Sequence, residues 1–282
     1  MSLMENGSIN GIHERGNENK DLTNSYTVTR VDRDAVTRVD VEVCVEESVN
    51  IILNGARVAS LTITPSNLKE FVYGYLICEG LIRSIDRIES VEINWPDIFV
   101  KVPEFDKDDP GLWMEIRSSG CVGVRSSWMS LEGPVKSDIS LSKDMIFHSI
   151  ELINDLAVLW KTTGGTHCTI IFDKMGSLIS YAEDMGRHNT IDKAVGKALL
   201  DGRDLSGCFM VCTGRMPAGM VAKAYRAGIP VIISNTAPFT TGIELARKLN
   251  MTLICFARPP RMQIYSVPER IKDIGTIREN VP

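Results

Sequence analysis

The segment GCFMVCTGRMPAGMVAKAYRAGIPVIISN, residues 207–235, decides the fold. It begins with a short apolar run, passes through a polar loop into a helix-forming stretch, and ends in a second short apolar run. Short apolar strands on either side of a helix are typical of a βαβ unit, whose two strands lie parallel in one sheet. Because continuous apolar strands must be covered on both faces, the segment predicts an α/β domain with helices on each side of the sheet.

The flanking sequence continues this alternation. Downstream, GIELARKL (242–249) predicts a helix and TLICFA (252–257) a strand. Upstream, THCTIIF (166–172) and SLISYA (177–182) predict two strands joined by a turn at residues 173–176, and GG at 164–165 predicts a helix end. Two helices are expected to turn apolar side chains to the core: Ile191, Ala194, Val195 and Ala198 in one, and Ile146, Ile150, Ile153, Ala157 and Trp160 in the other. We therefore predict a three-layer α/β/α sandwich over residues 141–282.

A smaller α+β domain is predicted at residues 25–140. Val- and Thr-rich strand patterns run from Tyr26 to Ile63, and Asn54-Gly55 predicts a hairpin turn between two of them. The period then changes to that of an amphipathic helix, with Thr64 as the expected cap and Pro65 at the first helical position. Residues 1–24 are rich in Asn, Gly and Glu and have too few apolar side chains to offset the entropy of ordering, so we expect a disordered tail whose first three residues are a cloning scar.

Composition excludes several classes of function. The 282 residues include 31 Lys and Arg against 36 Asp and Glu, a formal charge of −5, and the basic residues are scattered. Neither nucleic acid nor a membrane surface is therefore an expected partner. No apolar run is long enough to span a bilayer and no secretory signal precedes the domains, so we expect a cytoplasmic protein. The seven cysteines are unclustered, which favours reduced thiols, most of them in the core.

The ends of the predicted strands indicate a ligand site. In open α/β sheets ligands bind beyond the carboxyl ends of the strands. The segments there are 213–215, 234–238 and 257–261, and they carry Arg215, Arg258 and Arg261. Two of these loops also lead into helix N-termini, whose free N–H groups favour anions, so a phosphate-bearing ligand is the natural interpretation. Solvated surface arginines are the alternative for any one of them.

The run EDMGRHNTIDK (183–193) adds two candidates to this site. It places Arg187 and His188 at the start of a helix that follows a strand of the same sheet. A histidine there can exchange protons near neutral pH, and a structural histidine bonded to backbone is the alternative.

Zinc chemistry has no support in the sequence. Zinc nucleobase deaminases need H-x-E and a downstream P-C-x-x-C, and neither occurs. Cys208 and Cys212 lie on one face of a predicted strand, about 13 Å apart at ~3.3 Å per residue, which is too far to share an ion. We therefore expect no metal ligands and no bound zinc.

Cys121 is different from the other cysteines. It lies in SSGCVGVRSS (118–127), between Gly120 and Gly123, where no helical or strand period continues. Flanking serines keep such a loop hydrated, and Arg117 and Arg125 can stabilise a thiolate. The pattern indicates an exposed, reactive thiol, with a surface cysteine of no particular role as the alternative.

Several motifs together resemble one family. The runs LNGARVASLTITPSNLKEFVYGYLICEGLI, GGTHCTIIFD, AEDMGRHNTIDKAVGKALL, TGRMPAGMVAKAYRAGIPVIISNTAP and LICFARPPRMQIY, spread over residues 36–267, resemble the formate dehydrogenase accessory sulfurtransferase family (FdhD/NarQ). The resemblance implies a cytidine deaminase-like fold without zinc in the C-terminal domain. It also implies a homodimer.

The resemblance further implies an activity. Family members accept persulfide sulfur from a cysteine desulfurase and pass it to the bis(molybdopterin guanine dinucleotide) form of the molybdenum or tungsten cofactor, which activates the catalytic subunit of formate dehydrogenase. Cys121 then corresponds to the persulfide carrier, and GDP to a mimic of the bound cofactor. The cofactor-binding residues predicted in this way are Phe256, Ala257, Arg258, Pro259, Pro260 and Arg261, with Arg215, Thr213, Arg187 and His188.

One position departs from the family pattern. The family loop often carries C-x-x-C, and the second position here is Val124. A relay between two loop thiols is therefore not supported, and a chaperone that binds the cofactor without sulfur chemistry is the alternative function. A metal-dependent deaminase is a third hypothesis, which the absence of the zinc-ligand motifs disfavours.

Overall fold

The computed structural model describes residues 22–103 and 131–275. Its strands are β1 Thr23–Val31, β2 Val36–Cys44, β3 Glu47–Leu53, β4 Ala56–Ile63, β5 Ser90–Asn94, β6 Asp97–Lys101, β7 Leu141–Ser142, β8 His167–Asp173, β9 Leu178–Asp184, β10 Cys208–Cys212, β11 Val231–Ser234, β12 Thr252–Arg258, β13 Arg261–Ser266 and β14 Ile271–Lys272. Its α-helices are α1 Leu68–Cys78, α2 Lys143–Glu151, α3 Ile153–Leu156, α4 Val158–Thr163, α5 Arg187–Leu200, α6 Ala218–Arg226 and α7 Thr240–Lys248. Short 3-10 helices lie at Ile85–Arg87 and Pro268–Arg270.

A six-stranded sheet forms the centre of the C-terminal half, in the order β13-β12-β11-β10-β8-β9. The three strands of the predicted βαβ units, β10, β11 and β12, are parallel. The other three pair antiparallel with their neighbours. Strand β13 was not predicted from periodicity, because its sequence RMQIYS mixes polar and apolar residues in the manner of an edge strand.

Helices cover both faces of this sheet, as predicted. Met210 and Cys212 point into a core shared with α5, α6 and α7, while Phe209 and Val211 point into a second core shared with α2 and α3. The buried helix residues Ile191, Ala194, Val195 and Ala198 lie where the sequence placed them. The mixed α/β class is confirmed, and the closer likeness to cytidine deaminases stays a prediction.

The prediction of one continuous helix over residues 146–160 is wrong. The chain forms three short helices there, and the backbone leaves helical geometry at Ala157, which has φ −81° and ψ 66°. The Glu183 carboxylate explains the break, because it accepts hydrogen bonds from the backbone N–H groups of Leu159 (2.9 Å) and Trp160 (2.8 Å) at the start of α4. Trp160 is consequently exposed and not part of the core.

The N-terminal half contains a four-stranded sheet, β4-β3-β6-β5, with α1 packed against it, and a separate β1-β2 hairpin. Strand β1 begins at Thr23, inside the segment predicted as a tail, and residues 1–21 lie outside the described residues. The division into domains at residue 140 stays a prediction.

Within the two described ranges, no helix has the length and apolar character needed to cross a membrane.

Helices α1 and α5 join the two halves at very close range. A Cβ added at Gly74 would overlap the carbonyl oxygen of Asp192, and one added at Gly196 would overlap the carbonyl oxygen of Glu70. Only glycine permits this approach of the two backbones. The N-terminal unit is therefore held directly on the helix that begins at the carboxyl edge of the central sheet.

Candidate functional site at the carboxyl edge of the sheet

Five elements converge at one edge of the central sheet. Strands β9, β10, β11 and β12 end there, and β8, which runs antiparallel to β10, begins there with His167. The loops after β10 and β11 are tied together, because the Ser234 hydroxyl donates to the Gly214 carbonyl oxygen (2.8 Å) and the Met216 N–H donates to the Ala237 carbonyl oxygen (3.0 Å). The edge is a connected surface on which each loop fixes its neighbour.

Three helices begin at this edge: α5, α6 and α7. None has a side-chain cap at its N-terminus, and none carries an acidic residue in its first turn. Helix N-termini usually gain stability from such oxygen atoms, which satisfy free N–H groups and offset the positive end of the helix dipole. Without such groups, the first-turn N–H groups of these three helices are donors suited to an anionic group.

His167 occupies this edge and was missed as a site residue by the sequence analysis. Its Nδ1 lies 3.0 Å from the Thr213 hydroxyl oxygen, which also accepts a 3.0 Å hydrogen bond from the Cys168 backbone N–H. Burial and the nearby cations Arg187 and Arg215 lower the pKa of His167, although Asp184 opposes them. The run GGTHC contained it, but only the antiparallel pairing of β8 with β10 brings it beside Thr213.

Two predicted arginines flank this histidine. The Arg187 side chain packs along Gly214 in the loop after β10. A Cβ added at residue 214 would lie only 2.6 Å from the Arg187 Cβ, so this close approach requires glycine. The Arg215 guanidinium lies over the Phe239 ring, 5.6 Å from its centroid. The structure thus brings together Arg187, Thr213 and Arg215, three of the residues predicted from separate segments.

The predicted residues 256–261 form a hairpin between β12 and β13. Arg258 and Arg261 are paired across its two-residue turn of Pro259 and Pro260, and all four are exposed. The Arg258 Nε donates to the Asn235 carbonyl oxygen (2.9 Å), which connects this hairpin to the loop after β11. The hairpin therefore extends the same positive edge on the side away from His167.

Phe256 and Ala257 have different environments within this hairpin. Phe256 has a positive φ of 48°, donates its N–H to the Thr236 carbonyl oxygen (2.9 Å), and keeps 40% of its side chain exposed. Ala257 is fully buried in the core, backbone included, so the predicted contact of Ala257 with a ligand is wrong and the residue supports the hairpin from beneath. An exposed aromatic ring held in a rarely adopted backbone conformation is a candidate platform for a planar ligand group.

His188 lies deeper than the sequence analysis expected. Burial and the positive charges of Lys223 and Arg187 lower its pKa to about 3, so the imidazole is neutral at physiological pH. It is influenced electrostatically both by Arg187 and His167 at the edge and by Lys223, whose Nζ lies 2.8 Å from the Asp192 Oδ1 in a buried ion pair.

The thiols of the described residues are unsuited to nucleophilic chemistry. Five of them are buried, and the sixth, Cys44, is partly buried. Burial raises the pKa of every one, to about 11 for Cys208 and about 12 for Cys212 and Cys255. Cys121 lies outside the described residues. In the described ranges, no three His, Cys, Asp or Glu side chains come together as a metal site.

The fold is that of a mixed α/β protein with several arginines at the carboxyl edge of its central sheet, and comparison with known proteins identifies the family. Residues 44–272 match the FdhD/NarQ family, to which the chain therefore belongs. A sulfur carrier protein FdhD from Methanothermobacter thermautotrophicus is 38% identical over 86% of this chain and 96% of its own length. A protein FdhD from Methanocaldococcus jannaschii is 36% identical over 79% of this chain and 88% of its own length.

A solved structure has the same overall fold. It is described as a formate dehydrogenase accessory protein from Desulfotalea psychrophila, and it superimposes with a TM-score of 0.74 at 28% identity. The superposition covers 89% of this chain and all of the other.

Proposed function

We propose that the protein is a sulfur carrier that supplies formate dehydrogenase by transferring sulfur to its bis(molybdopterin guanine dinucleotide) cofactor. The observation that carries the proposal is the positive carboxyl edge, where three helix N-termini without acidic residues meet four arginines. Each guanine dinucleotide half of the cofactor contains a pyrophosphate, which needs such donors and cations. The names of the relatives, sulfur carrier protein and formate dehydrogenase accessory protein, support the same assignment.

The residues at this edge fit the chemistry of the cofactor. Arg187, Arg215, Arg258 and Arg261 would hold its phosphates by charge-assisted hydrogen bonds, and Phe256 offers a ring for a purine to stack on. Thr213 would act through its hydroxyl, and the buried Ala257 would support the hairpin from the core. GDP contains the guanosine and diphosphate portions of the ligand, and it is the probe of choice.

Cys121 is the proposed sulfur carrier. Only a thiolate attacks a persulfide, and burial raises the pKa of all the thiols in the described ranges. The Cys121 thiolate would attack the terminal sulfur of the persulfide on a cysteine desulfurase, forming a Cys121 persulfide and releasing the donor cysteine as a thiolate. On delivery, transfer of the outer sulfur at the sulfide level would take up two electrons, which the cofactor's metal in a reduced state would supply, and would leave Cys121 as a thiolate.

The sulfur carrier would work with two partner proteins in the cytoplasm. A cysteine desulfurase is the sulfur donor, the catalytic subunit of formate dehydrogenase receives the cofactor, and the carrier works as a homodimer. Persulfide transfer through Cys121 needs reduced thiols, which the cytoplasm maintains, so we place the reaction there.

Mass spectrometry tests the sulfur step. The protein is incubated with a cysteine desulfurase and cysteine, and the adduct is located by peptide mapping under non-reducing conditions. One added sulfur atom is expected on Cys121 in the wild type and in Cys44→Ala, the control in the partly exposed described cysteine, and none in Cys121→Ala. An adduct that persists in Cys121→Ala refutes the carrier assignment, and no adduct in any protein that still binds GDP supports the chaperone alternative.

A further inference from the structure

The β1-β2 hairpin forms a sheet of its own, apart from the two larger sheets. Its two strands of nine residues each pair antiparallel over their whole length, from Thr23 opposite Cys44 to Val31 opposite Val36, without a bulge. At ~3.4 Å per residue the hairpin is about 30 Å long. Most of its residues are exposed, so little of it packs against the rest of the described chain.

The hairpin has one apolar face and one polar face. Residues directly opposite each other in an antiparallel pair point to the same side, and successive residues alternate. The register therefore places five apolar side chains on one face: Tyr26, Val28, Val39, Val41 and Val43. On the other face the Thr27 hydroxyl donates to the Asp40 carboxylate (2.6 Å), and Arg38 and Glu42 lie beside this pair. The polar face is thus suited to water, whereas the apolar face is not.

The apolar face is left open in a single chain. Tyr26, Val28 and Val43 are 54%, 38% and 44% exposed. A two-stranded hairpin by itself is at best marginally stable in water and gains stability when its apolar face packs on another layer. Contiguous exposed apolar patches mark interaction sites on soluble proteins. The hairpin therefore needs a covering surface from outside the described residues.

We propose that this apolar face is an interface between two copies of the chain, in which the two hairpins pack face to face and antiparallel about a two-fold axis. Sheets packed in this way lie about 10 Å apart with their side chains interdigitated. The proposal rests on the homodimer named in the proposed function and adds the surface that forms it.

The charge pattern of the face favours a second copy over a charged partner. Arg30, close to the turn between the strands, is the one charged residue among the β1 and β2 residues on this face. In the antiparallel arrangement the turn end of one hairpin lies over the opposite end of the other, so the two Arg30 side chains do not meet. A face with one cation and five apolar side chains has no charge cluster that would select a nucleic acid or a strongly acidic segment.

Two neighbouring features suit this association. Strand β1 has no Lys, Pro, acidic side chain or bulge, which are the devices that keep an exposed strand from associating. Helix α4 lies against β2 and exposes Val158 and Trp160, so it adds apolar surface next to the hairpin. A standard interface takes about 20–30 residues from each partner, and the hairpin together with α4 supplies a number of this order.

Analytical ultracentrifugation over a range of concentrations tests the interface, with one kind of substitution placed on either face. Val28→Glu puts a carboxylate on the apolar face, and Val36→Glu puts the same group on the polar face, where Val36 is already exposed. We expect wild type and Val36→Glu to sediment as dimers. Val28→Glu should raise the dissociation constant of the dimer by about a hundredfold or more, because a two-fold interface carries the new charge twice.

Tyr26→Thr is a milder second variant on the same face. It removes the largest apolar side chain of the face and keeps a residue that favours strands, so it should weaken the dimer in the same direction. A wild-type dimer that neither Val28→Glu nor Tyr26→Thr weakens overturns the interface and leaves the homodimer standing. Equal weakening by Val28→Glu and Val36→Glu likewise overturns the assignment of the apolar face.

Hydrogen exchange measured by mass spectrometry shows whether the hairpin is covered. The amides of β1 and β2 should exchange about tenfold faster or more in Val28→Glu than in wild type, while those of β10 and β11 stay protected in both and show that the variant is folded. A monomeric wild type with protected hairpin amides would mean that another segment of the same chain covers the face, and it overturns the proposal. A monomeric wild type with fast-exchanging hairpin amides overturns the homodimer as well, whereas the sulfur step is decided separately by the Cys121 adduct.

Discussion

Lys193 and Asp184 form an ion pair at 2.8 Å in which both side chains are fully buried. Both also bond to Thr64 of the N-terminal half: the Lys193 ammonium donates to its carbonyl oxygen (2.8 Å), and the Asp184 Oδ2 accepts from its N–H (3.1 Å). Asp184 Oδ1 accepts from Gly186 N–H (2.7 Å) just before α5. One buried pair therefore fixes the start of α5 and joins the two halves of the molecule.

Lys193→Met should destabilise the protein by about 3–5 kcal/mol, because it leaves Asp184 buried without its cation. The free energy of unfolding from urea titration at neutral pH measures the effect. Lys197→Met is the matched control, since Lys197 on the same helix lies partly exposed over the Tyr181 ring, and it should cost less than about 1 kcal/mol. Adding Asp184→Asn to Lys193→Met should recover part of the loss; a double variant less stable than Lys193→Met alone would contradict this account.

The strands and buried helix faces were predictable because their signals are local. Apolar runs such as CFMVC and the spacing of Ile191, Ala194, Val195 and Ala198 require no knowledge of distant residues. Thr64 shows where local rules fail. It was predicted to cap α1, but the helix begins at Leu68, and the Thr64 hydroxyl instead accepts a hydrogen bond from the Met185 N–H (3.1 Å), 121 positions away.

The site was predictable only in part for the same reason. Arginines at strand ends follow from the βαβ rule, and the structure places Arg187, Thr213 and Arg215 together. His167 could not be assigned, because it lies at the start of a strand, and the antiparallel direction of β8 was not part of the βαβ prediction. The role of Glu183 in interrupting the helical segment at residue 157 could not be predicted from the sequence either.

Gly196→Ala should separate α1 from α5 and destabilise the protein by about 3 kcal/mol or more, since the new methyl group would overlap the Glu70 carbonyl oxygen. Thermal or urea unfolding measures the loss. Gly207→Ala is the control: an added Cβ there meets no described atom within 4 Å, and its φ is outside the left-handed region, so it should be neutral or slightly stabilising. Comparable stability of the two variants would show that the helices can move apart at little cost.

The stability of the protein should fall below pH 6.5 through His188. Its folded pKa is lowered to about 3 from 6.5, so between these values the unfolded chain binds a proton that the folded chain does not. The free energy of unfolding therefore decreases as the pH falls, by about 1.4 kcal/mol between pH 7.5 and 5.5 from this group alone. His188→Gln should lose that part of the pH dependence, and His148→Gln, in the exposed histidine of α2, should keep it. Identical slopes for His188→Gln and wild type in urea titrations at the two pH values would exclude His188 as the source.

The β12–β13 hairpin should contribute strongly to binding of GDP. Arg258 and Arg261 are exposed and paired across its turn, and Arg258 is anchored through Nε to the Asn235 carbonyl oxygen, so it enters a complex with part of its conformational freedom already lost. Each charge-assisted contact is worth about 1.5–3 kcal/mol, so the double variant Arg258→Ala with Arg261→Ala should weaken GDP binding by at least tenfold in calorimetry.

Arg83→Ala is the control for this prediction. Arg83 is an exposed arginine between α1 and β5, so its replacement removes a charge away from this edge and should leave the affinity within about twofold. The salt dependence of binding should also become shallower in the double variant, because two cations no longer meet the phosphates. Unchanged affinity in the double variant would exclude the hairpin from the ligand site and restrict recognition to the loops after β10 and β11.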